Sequence, residues 1–198
     1  MTCIIGYKEN DAIWLASDGM CTDQENRYRI EENYPKVFEK DNILFGTSGS
    51  MRVSQLIQYS LNIPYHDPRL SDMHYLCGPF SQEIMILLGT TKSLEVNDEI
   101  AYFNAGILIA YNGELYHMMD DFFVSKSREK YDTVGSGMFI ALGSLYTTSN
   151  EDIPTETKIT KALDAACKFS PSCGGSYHIM MRIMDTTVSY EIPVSIHR

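Results

Sequence analysis

The chain has little that would tie it to a metal, a phosphate group or a membrane. Its five cysteines (Cys3, Cys21, Cys77, Cys167 and Cys173) are odd in number, scattered, and never spaced as C-x-x-C. Neither a disulfide framework nor a zinc ligand set is expected from them, and a reducing, cytoplasmic setting suits them. The five histidines (His66, His74, His117, His178, His197) have no ligand spacing either, so no metal is expected. The patterns H-E-x-x-H, the Walker loop and G-x-S-x-G are all absent. Gly135-Ser136-Gly137 comes nearest to a phosphate loop, but Ile140 stands where a third glycine would be needed, and no cofactor is expected. No basic segment leads into an apolar run near Met1, and nothing approaches the ~20 apolar residues of a membrane span. Cations are also few. Lys and Arg number 16 against 26 Asp and Glu, a formal net charge of -10 that repels phosphate backbones and argues against a nucleic-acid partner.

What is present is the composition of a globular protein, with 44% hydrophobic and 21% charged residues in 198. That length suits one domain, 1-198, around one continuous core. No repeat, low-complexity tract or linker divides it.

The periodicities give a coarse order of elements. Thr2 to Tyr7 and Ala12 to Ser17 read as apolar strands around the polar turn Glu9-Asn10-Asp11. Cys21 to Asn33 is a polar excursion. Lys36 to Glu39 and Ile43 to Thr47 form a second strand pair. Val53, Leu56, Ile57 and Leu61 share one face of a helix over Ser50 to Asn62, which Pro64 ends. In the stretch from His66 to Leu94, Gly78-Pro79 reads as a break and Phe80 to Leu88 as a buried helix. Asn112-Gly113 is a strong hairpin signal between Gly106–Tyr111 and Glu114–Met119. Two further strands, over Phe122 to Lys126 and Tyr131 to Val134, precede two helices. One has Met138, Ala141, Leu142 and Leu145 on a face. The other has Ile159, Ala162, Leu163 and Ala166, after Pro154-Thr155. Tyr177 to Met184 and Thr187 to Val194 return to strands. Layer rules turn this order into an α+β fold of two stacked sheets with helices outside.

The candidate chemistry sits near the start. Thr2 follows Met1, and a small second residue favours removal of the initiator methionine. A freed Thr2 carries nucleophile and base together, because its hydroxyl attacks while its α-amine, with a pKa of roughly 8, takes the proton. Met-Thr alone is common. Four further pieces follow in order: Ala16-Ser17-Asp18-Gly19; Pro35-Lys36-Val37; Gly46-Thr47-Ser48-Gly49-Ser50 opening a helix; and Val134-Gly135-Ser136-Gly137, with Cys173-Gly174-Gly175 closing the series. Each piece has an ordinary reading too. Asp18 reads as a turn residue, Lys36 as a solvated edge lysine, Gly49-Ser50 as a helix N-terminus and Ser136 as a helix cap.

Taken together, the ordered set resembles the proteasome β-subunits and HslV, which are N-terminal-nucleophile (Ntn) hydrolases. The resemblance runs over roughly Thr2 to Met184 and is weakest from His66 to Phe103. It implies a four-layer αββα sandwich of two antiparallel sheets flanked by helices. It also implies roles: Thr2 the nucleophile, Lys36 a buried cation beside its hydroxyl, Asp18 the partner of that lysine, Gly49 the backbone N–H facing the oxyanion, and Ser136 the hydroxyl at the terminal amine. Asp18 lies sixteen positions after Thr2, the family's own separation. The chain departs from the proteasome pattern before Gly174-Gly175, where Ser170 and Cys173 replace an Asp and a Ser. By position, Cys21, Tyr34, Thr47 and Met51 are expected to line the pocket beside the scissile bond. The resemblance further implies a threonine peptidase acting on peptides or unfolded proteins in a homo-oligomeric ring, with an ATP-dependent unfoldase as a possible partner. Two alternatives stand beside it: an inactive ring subunit of the same fold, and a small-molecule Ntn amidase. Cys3 becomes a nucleophile only if Thr2 is trimmed as well.

Overall fold

The computed structural model describes residues 2–22, 29–31, 34–183 and 186–194. Its strands are β1 Ile4–Glu9, β2 Ala12–Asp18, β3 Met20–Thr22, β4 Arg29–Glu31, β5 Val37–Lys40, β6 Ile43–Gly49, β7 Glu95–Asn97, β8 Ile100–Tyr102, β9 Ala105–Tyr111, β10 Glu114–Met118, β11 Val124–Lys126, β12 Tyr131–Val134, β13 Tyr177–Ile183 and β14 Thr186–Ile192. The helices are α1 Met51–Ser60, α2 Asp72–Tyr75, α3 Ser81–Thr90, α4 Met138–Thr148 and α5 Thr155–Phe169.

Two five-stranded antiparallel sheets carry the fold, in the orders β12-β1-β2-β13-β14 and β11-β10-β9-β6-β5. Helices α4 and α5 cover the outer face of the first sheet, and α1 and α3 pack with the second. The buried residues accordingly fall into three apolar layers. Ile5, Tyr7 and Ala16 face α4 and α5, and Phe45, Ile107 and Ile109 face α1 and α3. Ile4, Leu15, Leu44, Leu108 and Leu115 meet between the sheets. Strands such as β1 and β9 are thus buried on both faces, which is why they read as unbroken apolar runs rather than as alternation.

Two expectations need correcting. Gly78-Pro79 does not break the chain. A π-helical turn, Leu76–Phe80, joins α2 to α3 through it. The Ser81 N–H reaches back to the Leu76 carbonyl, and the Ser81 hydroxyl bonds the same oxygen at 2.6 Å. The widened turn accommodates a proline that has no N–H to give. The hairpin of β7 and β8 had no counterpart in the sequence reading; its Val96 and Ile100 are exposed, so no buried face marks it. Within the expected polar excursion, β3 pairs with β4, while 23–28 and 32–33 lie outside the described residues.

Candidate active site

Thr2 stands at the entry to β1, 3% exposed, where three loops converge. Asp18 ends the neighbouring strand β2 and is fully buried. Its Oδ1 accepts from the Cys3 N–H at 2.9 Å and from Lys36 Nζ at 2.8 Å, and its Oδ2 accepts from the Gly174 N–H at 3.1 Å. Lys36, just before β5 and 1% exposed, also donates to the Met20 carbonyl at 2.6 Å. A buried ammonium is tolerated only when paired and hydrogen-bonded, and both conditions are met here.

The other two residues singled out from the sequence, Ser136 and Gly49, line one cleft with Thr2. The Thr2 N–H donates to Ser136 Oγ at 3.2 Å, and Ser136 Oγ lies 3.3 Å from the Thr2 carbonyl. Gly135 has φ of +100°, and a Cβ there would sit 2.2 Å from the Thr2 carbonyl oxygen, so only glycine lets the β12–α4 turn close on Thr2. Gly49, at the end of β6, has φ of +90°, and a Cβ there would lie 2.5 Å from the Asn104 carbonyl oxygen. Gly49 borders the same cleft as Thr2 and Ser136.

Cys21, Tyr34, Thr47 and Met51 do not line that cleft. They gather around α1 instead. Cys21 Sγ lies 4.0 Å from Met51 Sδ, Thr47 Oγ1 lies 2.6 Å from Ser54 Oγ, and the Tyr34 hydroxyl donates to Gln58 Oε1 at 2.5 Å. The Thr47 N–H donates to the Lys36 carbonyl, which ties this group to the flank of Thr2 that carries Lys36.

Sequence reasoning missed several supports. Ser172, 3% exposed, lies between the hydroxyls of Ser136 and Ser170, at 3.3 Å from each. The sequence showed Ser170 and Cys173 in the places of a family Asp and Ser. It gave no signal that Ser172, one of the two residues between them, would turn toward Ser136. Burial pushes the Cys3 and Cys173 thiols up, with each also raised by neighbouring charge, so both remain protonated and poor nucleophiles. The cleft on Thr2, about 460 Å³, also takes in His117, Asp120 and Asn104, none of which the sequence singled out. Burial holds the His117 imidazole below its ordinary value, against the pull of Asp132 at 3.9 Å from Nδ1.

No protein-family model matches the chain, and no curated protein matches it in sequence. Solved structures do match in fold. The protein BPH of Thiobacillus denitrificans in complex with epoxomicin superposes with a TM-score of 0.74 at 16% identity, over 92% of this chain and 98% of that one. A second structure of BPH of the same organism gives 0.73 at 16% identity, over 98% and 99%. The eukaryotic HslV of Trypanosoma brucei gives 0.64 at 14% identity, over 90% and 98%. The class defined is therefore one of architecture: an α+β sandwich of two antiparallel sheets flanked by helices, shared with proteasome-like and HslV structures.

Proposed function

We propose that this chain is a threonine peptidase in which Thr2, freed of Met1, is the nucleophile. The observation that carries the reading is the fully buried Asp18–Lys36 pair, anchored through the Cys3 N–H to the residue next to Thr2. An ammonium has three donors. Asp18 and the Met20 carbonyl use two of Lys36's, and the proposed mechanism assigns the third to the Thr2 hydroxyl. In that role a buried cation would favour the alkoxide character of Thr2 Oγ, which a solvated edge lysine would not do.

The chemistry then runs in two balanced halves. Thr2 Oγ attacks the amide carbon as its proton passes to the α-amine, whose N–H bonds Ser136. The Gly49 N–H stabilises the oxyanion, an effect typically worth about 10²–10³ in rate. The carbon–nitrogen bond breaks, the leaving nitrogen takes the proton back, and an ester remains on Thr2. Water, deprotonated by the same amine, attacks the ester; the bond from the carbonyl carbon to Thr2 Oγ breaks, Oγ takes the proton back from the amine, and the acid is released. Asp18 and Lys36 act as one unit, and Ser136 orients the amine.

The substrate class proposed is peptides or unfolded proteins, and the assembly a ring of identical subunits. Phe139 and Tyr146, each 74% exposed, lie seven residues apart on one face of α4, a suitable apolar surface for self-association. An ATP-dependent unfoldase is a partner such a chamber would need for folded substrates.

The test is hydrolysis of a peptide library by chain verified by intact mass to begin at Thr2. Thr2→Ala is expected to abolish turnover, and Thr2→Ser to retain part of it. Epoxomicin, bound by the Thiobacillus denitrificans protein, and a β-lactone are the first probes. Adducts mapped to Thr2 only in chains lacking Met1 support the reading. Full activity in Thr2→Ala, or turnover by chains that keep Met1, sinks it, since an amide nitrogen at Thr2 is no base.

A further inference from the structure

The cleft of about 460 Å³ that opens on Thr2 has two distinct linings. Its wall is apolar and flexible, with Met119 and Met138 beside Val134. At its rim stand Asn104 and Asp120, both exposed, and the half-buried His117. Among the described lining residues Asp120 is the only formally charged side chain, and none is Lys or Arg. At neutral pH the imidazole brings no opposing charge, because burial holds it neutral.

The cleft's position fixes which half of a substrate it receives. A group that takes a proton from the attacking hydroxyl and later gives it to the departing nitrogen must face that nitrogen. Here that group is the Thr2 nitrogen, whose partner Ser136 lines this cleft, whereas Lys36, Cys21 and Met51 do not. On the proposed mechanism the departing half would leave over His117 and Asp120, and the acyl half would lie on the flank of Lys36 and α1.

We infer that this cleft is the leaving-group subsite and that it selects amines whose first side chain is long, aliphatic and basic, as in lysine or arginine. The methylene stem lies on Met119 and Met138, which adapt readily in shape. The cationic head meets the Asp120 carboxylate, with the Asn104 side chain and the His117 imidazole as further polar neighbours. An acidic side chain in the same place would face Asp120, with no Lys or Arg among the described lining residues to offset it.

This assignment rests on the proposed role of Thr2, and its test separates the two. Full chain beginning at Thr2 is given peptides of fixed acyl half whose first leaving-group residue is Lys, Arg, Leu or Glu, and cleavage is mapped by mass spectrometry. Lys and Arg are expected to exceed Glu in kcat/KM by on the order of tenfold. Asp120→Asn should shrink that ratio toward unity, and Asp120→Lys should invert it, while selectivity at the acyl residue stays put. Asp120 is exposed, so neither change disturbs the core. Cleavage at these bonds with no Lys-over-Glu preference, or with a preference that ignores Asp120, overturns the subsite and leaves Thr2 as nucleophile. No cleavage of any peptide by the parent chain overturns both.

Discussion

The two ends of the β1–β2 hairpin each bury a lysine, and they treat it differently. At the Thr2 end, Lys36 is 1% exposed and faces a carboxylate that is fully buried, 2.8 Å away. At the turn end, Lys158 of α5 is 3% exposed, yet its carboxylate, Glu9, is 25% exposed and 3.3 Å away. Glu9 is also shared, because Thr155 Oγ1 and Lys130 Nζ bond it too. Lys158 is further held by the Ser149 carbonyl and lies 5.9 Å from the centroid of the Tyr7 ring. One pair is closed, dry and next to a candidate nucleophile. The other is a partly wet junction that fastens α5 to the first sheet. Burial of a lysine alone therefore does not mark a site. What sets Lys36 apart is that its partner has no solvent to fall back on.

The largest effects are expected where that difference is greatest. Asp18→Ala strands the Lys36 ammonium and the N–H groups of Cys3 and Gly174, and a cost of about 3–5 kcal/mol is expected, read as a lowered midpoint in denaturant. Lys36→Ala should lower kcat/KM on peptides by at least about 10², with a smaller loss of stability, and the double variant should be no worse in rate than the single ones. Wild-type kinetics in either single variant would remove the pair from the reaction.

Lys158→Met should leave kcat/KM within about twofold, since it lies at the far end of β1 from Thr2, and lower Tm by only a few degrees, about 1 kcal/mol, because Glu9 keeps Lys130 and Thr155. An activity loss as large as that of Lys36→Ala would erase the contrast between the two lysines. The smallest effect concerns acid. The Thr155 hydrogen bond, with help from Lys130 and Lys158, holds the Glu9 carboxyl below its ordinary value. Its stabilisation is therefore complete above the usual carboxylate range and is lost as pH falls through the lowered value. Glu9→Gln should be less stable than the parent at neutral pH, with the gap closing in acid, as followed by thermal melts across pH.

Much of the fold was legible in the sequence. The hairpin turns at Glu9-Asn10-Asp11 and Asn112-Gly113, the face Val53-Leu56-Ile57 of α1, and the faces of α4 and α5 all stand where patterning put them. The failures share one cause. The π-turn at Gly78-Pro79 and the exposed hairpin of β7 and β8 depend on backbone geometry that no apolar period records. For the candidate site, the residues at turns and strand ends carried signals: Asp18, Gly49 and Ser136 each end or follow a recognisable strand or open a helix, and Lys36 leads into one.

By itself the sequence determined the two apolar sheets, the helices outside them, and an ordered series of polar residues at their ends, because each follows from local period and turn chemistry. Only the tertiary structure decided which of those residues meet. Lys36 and Asp18 are eighteen positions apart, and Thr2 and Ser136 are separated by 134. Pairing of β1 with both β2 and β12 brings their ends to one edge of the first sheet. The same folding turned Ser172 toward Ser136 and placed His117 and Asp120, from the other sheet, across the cleft from Thr2. Contacts of that range are set by strand register and sheet stacking, which bring distant residues together without leaving a mark in the local sequence.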